Sequence, residues 1–296
     1  MARAGVSDVY RESNDLLQMF LCIEVATTPV FRVTHALGEA LEVQQEQSIP
    51  HEALPEGEVV YASMGGSMIL TQAGWKEVKL GRVFPGSAVE AVGKKQRHRI
   101  VESIYSACLG SCHEFLPRFE ASLGPWADPP EPWVSITGGA EWIRNDIQDR
   151  FPQATHILDY CHAVEKLAEL AKMMFPDETR RQRWLEGQEA EWSAGNVAQV
   201  LETLDKLVPL TKTAREALKT YYRNHVDRMA YDQYRAWGLM IGSGPMEAAH
   251  RTVLQARMKH SGQHWSTLGA KNVISLRVAL KSGRWLQAIQ PLVAAA

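Results

Sequence analysis

Apolar residues recur at helical spacing in Asp15-Leu16-Leu17-Gln18-Met19-Phe20 and again from Val33 to Gln47, which predicts two helices at the start of the chain. A breaker loop follows, His51 to Gly57, with Pro50, Pro55 and Gly57 marking a boundary. The pattern then changes. Glu58 to Met64, Ser67 to Leu70 and Trp75 to Phe84 are β-like, with Val78, Leu80 and Val83 in the last run, and predict an antiparallel start in which Gly65-Gly66 forms a tight turn. From Arg99 to Leu123, Ile104, Ala107, Cys108, Phe115, Leu116 and Phe119 read as the apolar face of one long amphipathic helix, closed by the proline-rich loop Pro125 to Pro132.

Two alternating units come next. Trp133 to Thr137 is a short apolar strand running into Gly138-Gly139, followed by a helix from Ala140 to Arg150; Thr155 to Asp159 is a second strand, followed by a helix from about Cys161 to Phe175. From Asp177 to about Met240 the chain is helical and charge-rich, including Ala198 to Leu207, and a last helix is predicted to open at Pro245. This order is that of an α/β RNase H-like core: a mixed five-stranded sheet flanked by helices, with an all-α insertion before the last helix. The expected division is 1–57 as an N-terminal helical region, 58–176 as the core, 177–240 as the insertion and 241–296 as the segment completing the core. In such a core, parallel strands place functional groups at their C-terminal ends.

Composition narrows the function. With 45% hydrophobic and 22% charged residues the chain is ordinary for a soluble globular protein, and the apolar stretch Leu16 to Val25 is too short to span a membrane. Net charge is -2, so any affinity for nucleic acid must come from a local patch. Cys22, Cys108, Cys112 and Cys161 do not form paired CxxC units, which excludes the usual zinc frameworks and makes a disulfide scaffold unexpected. The chain is expected to be cytoplasmic.

The chemistry concentrates between Ile241 and Ser266. Glu247 falls in the first turn of the predicted helix, where a carboxylate favours the positive end of the dipole, and Arg251, Arg257, Lys259, His260, His264 and Trp265 follow. One acidic residue leading a basic segment suits a carboxylate holding a metal beside a polyanion; a solvated helix face would look the same. Trp142, Trp184, Trp192, Trp237 and Trp265 fit either a packed core or stacking on unpaired bases. The two Gly-Gly pairs also suit phosphate-cradling loops, although neither has a P-loop or GxGxxG frame.

Three motifs carry a family resemblance: Glu247 in IGSGPMEAAHR, the run SGQHWS from Ser261 to Ser266, and ITGGAEWIRNDIQDRFPQATHILDYCHAVEKL. From about Pro29 to Trp285 the chain resembles the ISKra-type transposases of bacterial insertion sequences, a branch of the Asp-Asp-Glu (DDE) transposases related to Mutator-like elements. The resemblance implies two Mg²⁺ ions aligning a nucleophile for in-line attack on a phosphodiester, with Glu247 as a metal-binding carboxylate and Asp159 and His162 as an accessory Asp-x-x-His pair. The two aspartates of the triad would fall at Gly65 and Gly138, and both are glycine here. Glu247 alone cannot hold two such ions, because Mg²⁺ requires several hard oxygen ligands in near-octahedral geometry.

The resemblance therefore implies a DNA-binding protein of an insertion sequence that does not cut, with an active transposase performing Mg²⁺-dependent cleavage and strand transfer as the alternative. Expected partners are DNA and either a second copy of the chain or an active transposase, in a nucleoid-associated setting and away from membranes. Family members carry a DNA-binding region ahead of the part matching Pro29, of which 1–57 holds a remnant. Affinity is thus expected to be mainly electrostatic, through Arg251, Arg257, Lys259, His264, Trp265, Lys271 and Arg277, with Lys281 and Arg284 adding charge.

Overall fold

The computed structural model describes residues 1–47, 49, 54–92, 97–127, 133–206 and 212–294. Pro50 and His51–Ala53 of the first predicted loop, 128–132 of the second, and Leu207 lie outside them. The chain forms two compact units, one of Met1–Trp133 with Pro245–Ala296, the other of Val134–Gly244.

In the first unit, helices α1 (Ala2–Ser7), α2 (Tyr10–Leu21) and α3 (Thr27–Glu42) precede strands β1 (Val60–Thr71), β2 (Gly74–Pro85), β3 (Val89–Val92), β4 (Arg97–Ile100) and β5 (Ile104–Cys108), and then helix α4 (Cys112–Leu123). β2 pairs antiparallel with β1 on one side and β5 on the other; β3 and β4 form a separate hairpin. In the second unit β6 (Val134–Thr137) and β7 (Thr155–Leu158) run parallel, linked by α5 (Glu141–Arg150). Helices α6 (Tyr160–Met174), α7 (Glu178–Ser193), α8 (Val197–Lys206), α9 (Lys212–Arg223) and α10 (Tyr231–Ala236) follow. The chain then returns to the first unit with α11 (Gly244–Ala249), α12 (Ala256–Met258), α13 (Thr267–Lys281) and α14 (Trp285–Ala294). The architecture is α/β, with five strands of mixed direction flanked by helices, consistent with an RNase H-like core.

Two expectations about the strands are corrected. Gly65-Gly66 is not a turn: β1 runs through it unbroken, with Gly65 opposite Leu80 and Gly66 opposite Lys79. The hairpin closes at Gln72-Ala73, where Thr71 Oγ1 accepts from Ala73 N–H (3.2 Å) and donates to the Gly74 carbonyl (2.7 Å), and Gly74 has φ of +89°. A glycine there avoids the steric cost of left-handed backbone. Nor is Arg99 to Leu123 one helix. Ile104–Cys108 is a strand buried on both faces, so it shows neither alternation nor helical period, and the helix begins only at Cys112. Ser111 caps it by accepting from Glu114 N–H while Glu114 accepts from Ser111 N–H, a reciprocal capping box.

The first core packs Ile69, Val78 and Leu80 of the hairpin against Met246, Ala249, Val253 and Leu254, with Val273 and Ile274 of α13. In the second unit Trp192 and Tyr222 meet edge-on, and Tyr222 and Tyr231 each donate a hydrogen bond to a backbone carbonyl, of Ala163 (2.9 Å) and Leu158 (3.0 Å). Buried tyrosines with satisfied hydroxyls pin α9 to the first turn of α6 and the start of α10 to the end of β7.

Candidate active site

Each unit carries part of the predicted constellation. In the first, Gly65 lies on β1 with its missing side chain facing the helical segment that begins at Gly244. A Cβ built there would stand 2.8 Å from His250 Nε2 and 3.5 Å from Met246 Cγ, so the imidazole occupies the space a side chain would enter. Met246 and Ala249 are buried, whereas Glu247, between them in sequence, is exposed. Two residues along β1, on the same face, Ser67 Oγ accepts a hydrogen bond from Lys259 Nζ at 2.9 Å. Burial, and secondarily the Lys259 charge, press the His250 pKa down to about 4.

His250 opens a π-helical turn, His250–Gln255, between α11 and α12. Such a turn shifts carbonyls out of the α-helical ladder and needs another donor to take them. Arg277 of α13 supplies it. Fully buried, its guanidinium donates to the carbonyls of Val253, Thr252 and Val6, the last at 2.7 Å. Burial holds its pKa down to about 10, which leaves it charged at neutral pH.

In the second unit Gly138 follows β6. A Cβ there would meet only His162, at 3.6 Å or more, in ordinary contact. Gly139 is tighter, its Cβ position 2.6 Å from the Tyr221 ring. Asp159 follows β7 and is wholly buried. It caps α6 by accepting from Cys161 N–H (3.1 Å), and accepts from Ser243 N–H (3.0 Å), Ser243 Oγ–H (2.6 Å) and His162 Nδ1–H. Burial opposes its charge, but the hydrogen bonds from His162 and Ser243 outweigh it and hold the carboxyl below the usual range. With Nδ1 turned to Asp159, the exposed His162 ring presents its other edge to Gly138, Nε2 lying 3.8 Å from the Cβ position there. In the sequence Ser243 belongs only to a helix-opening cluster, Gly242 to Pro245. Its role depends on a contact 84 residues away in sequence, which no local signal announces.

Three residues expected to touch DNA are spent on the fold. Arg257 is buried, donating to the Gly5 carbonyl (3.1 Å) with its guanidinium over the rings of Tyr10 and Trp265. Arg277 buttresses the π-turn. Trp265 is buried, its indole donating to the Met258 carbonyl (3.1 Å) and its backbone bonded to Leu70 and Gln72 at the hairpin end. The run SGQHWS is thus a clasp on the β1–β2 turn, and Ser266 caps α13. Arg251, Lys259 and His264 are exposed, and Lys271 is partly so, 3.8 Å from Glu114.

The Mg²⁺ implied by the resemblance does not fit the donors around Gly65, which are an imidazole and an ammonium in place of carboxylates. Among the described residues no group of three or more His, Cys, Asp or Glu side chains could hold a metal.

No family model matches the chain. It is similar to a UPF0236 protein in vanSb 3'region of Streptococcus gallolyticus, 21% identical over 281 residues and 93% of this chain. The chain spans about 60% of that relative's length. The likeness is a distant family link. Among the described residues no helix is long and apolar enough to cross a membrane.

Proposed function

We propose that this chain is a transposase-related protein that binds DNA without cutting it. The observation that carries the reading is the environment of Gly65: where the resemblance calls for a carboxylate, His250 fills the space and Lys259 places a cation on the same strand face. A carboxylate cage attracts divalent ions. An ammonium with a neutral imidazole attracts phosphate oxygens directly. Exposed Arg251 extends the positive segment, and exposed His264 lies on the same stretch of chain. Asp159, His162 and Ser243 form a hydrogen-bonded cluster beside Gly138.

The test pairs two assays on the whole chain. Fluorescence anisotropy with labelled duplex DNA should give binding at low salt that Lys259→Glu and Arg251→Glu each weaken several-fold, while a supercoiled plasmid with Mg²⁺ or Mn²⁺ should stay unnicked. Nicking by the unaltered chain, abolished by Glu247→Gln, would reinstate the active transposase. Absence of any DNA affinity at low salt would refute the binding reading.

A further inference from the structure

A second cluster, which uses none of Gly65, Gly138 or Glu247, lies in the Val134–Gly244 unit. A cavity of about 570 Å³ there is lined in part by His156, Asp227, Arg228, Tyr234 and Trp237. That volume is within the usual range for small-molecule sites. Arg228 is 2% exposed, and no ion pair to it exists among the described residues. Instead its guanidinium lies between two imidazoles, Nη1 donating to His156 Nε2 (2.8 Å) and Nη2 to His225 Nδ1 (2.6 Å).

A guanidinium can only donate. His156 Nε2 must therefore be an acceptor, which puts the ring proton on Nδ1. That Nδ1 is buried without a partner, and so is Nε of Arg228. Arg144, whose Nε is likewise buried and unpaired, adds a second positive charge close enough to act on His156, His225 and Arg228. Burial first, and then the two cations, keep both imidazoles neutral, and a histidine in either state has no negative charge to set against them. Asp227 is the one carboxylate among the cavity-lining residues, and it is exposed, where water weakens its reach. Arg228 thus brings to the wall a charge with no ion pair, and behind it lie buried donors without acceptors, a combination that costs stability unless an anion answers the charge.

The anion would have an aromatic attachment. Tyr234 and Trp237 share the cavity wall with ring centroids 6.1 Å apart, and Trp237 is 63% exposed, an unusual position for the largest apolar side chain. We propose that this cavity binds a nucleoside phosphate, its phosphate answering Arg228 and its base stacking on Trp237. The unit comes either from a free mononucleotide or from an unpaired residue in a strand.

Isothermal titration of the full chain with inorganic phosphate, thymidine monophosphate and a short oligothymidylate tests this. Saturable binding of the nucleotide, displaced by phosphate, is expected, and the tighter of nucleotide and oligonucleotide identifies the source. Trp237→Ala, at an exposed position, should keep phosphate affinity and lose about tenfold in nucleotide affinity, the scale of one stacked base. Arg228→Met, if circular dichroism shows it folded, should lose both ligands. No saturable heat with any of the three, or nucleotide binding unchanged by Trp237→Ala, would overturn the assignment. Neither outcome bears on duplex binding through Lys259 and Arg251.

Discussion

His250 sets the terms on which Gly65 can be altered. Gly65→Asp must displace the imidazole, whose nearest atom stands 2.8 Å from the Cβ position. If the ring gives way by a few tenths of an ångström, the new carboxylate lies against Nε2 and favours its protonated form. The His250 pKa, held at about 4 by burial, should then rise by one unit or more in a histidine NMR titration; no change would mean that the ring had swung clear. Gly138→Asp has room without such a shift. A carboxylate therefore enters more readily at Gly138 than at Gly65.

The depressed histidines also fix the acid limb of stability. His250, His225 and His156 have folded pKa values of about 4, 4 and 3, against 6.5 in an unfolded chain. Above pH 6.5 they are neutral in both states and have no effect. As pH falls from 6.5 towards 4, the unfolded chain takes up protons that the folded chain refuses, so folding loses stability progressively across that window. The Tm should drop between pH 7 and pH 5, and His250→Gln should flatten the slope. A Tm unchanged over the window would mean that these rings are protonated in the folded chain.

Among elements, the π-turn depends most on a single distant side chain. Arg277→Met removes the donors to three carbonyls at once, on Val6, Thr252 and Val253, the Val6 and Val253 contacts being buried. Each orphaned group costs roughly 1–3 kcal/mol. Urea denaturation should show a loss of at least about 3 kcal/mol, against a change within about 0.5 kcal/mol for Lys281→Met at an exposed position. Equal small losses would mean that the turn is self-supporting. The same residue shows why charge pattern misled the reading of the sequence. Arg251, Arg257, Lys259 and Arg277 look alike as a basic series, yet two of them are consumed in satisfying backbone carbonyls, and helical spacing could not say which. Strand β5 hid for a related reason: buried on both faces, Ile104–Cys108 offered no periodicity to separate it from the helix that follows. The βαβα run from Val134 to Met174 was legible because glycine, proline and apolar blocks punctuate it at each junction.

At the scale of the molecule, the net charge of -2 leaves no general attraction to a polyanion. Affinity for DNA must come from the exposed cations on and after the π-turn, against the repulsion of the rest of the surface. With Arg257 and Arg277 buried, the exposed set shrinks to Arg251, Lys259 and Lys281, with Lys271 and Arg284 only partly exposed and Lys271 already near Glu114. Two or three phosphate contacts release two or three counterions, so the logarithm of the duplex association constant should fall against the logarithm of salt concentration with a slope of about -2 to -3. Lys259→Glu should reduce that slope by about one or more, and Arg257→Gln should leave the slope unchanged while lowering Tm, because its guanidinium serves Gly5, Tyr10 and Trp265. A slope of -6 or steeper would require the buried arginines, or residues outside those described, to reach the duplex, and the electrostatic account built on the exposed cations would fail.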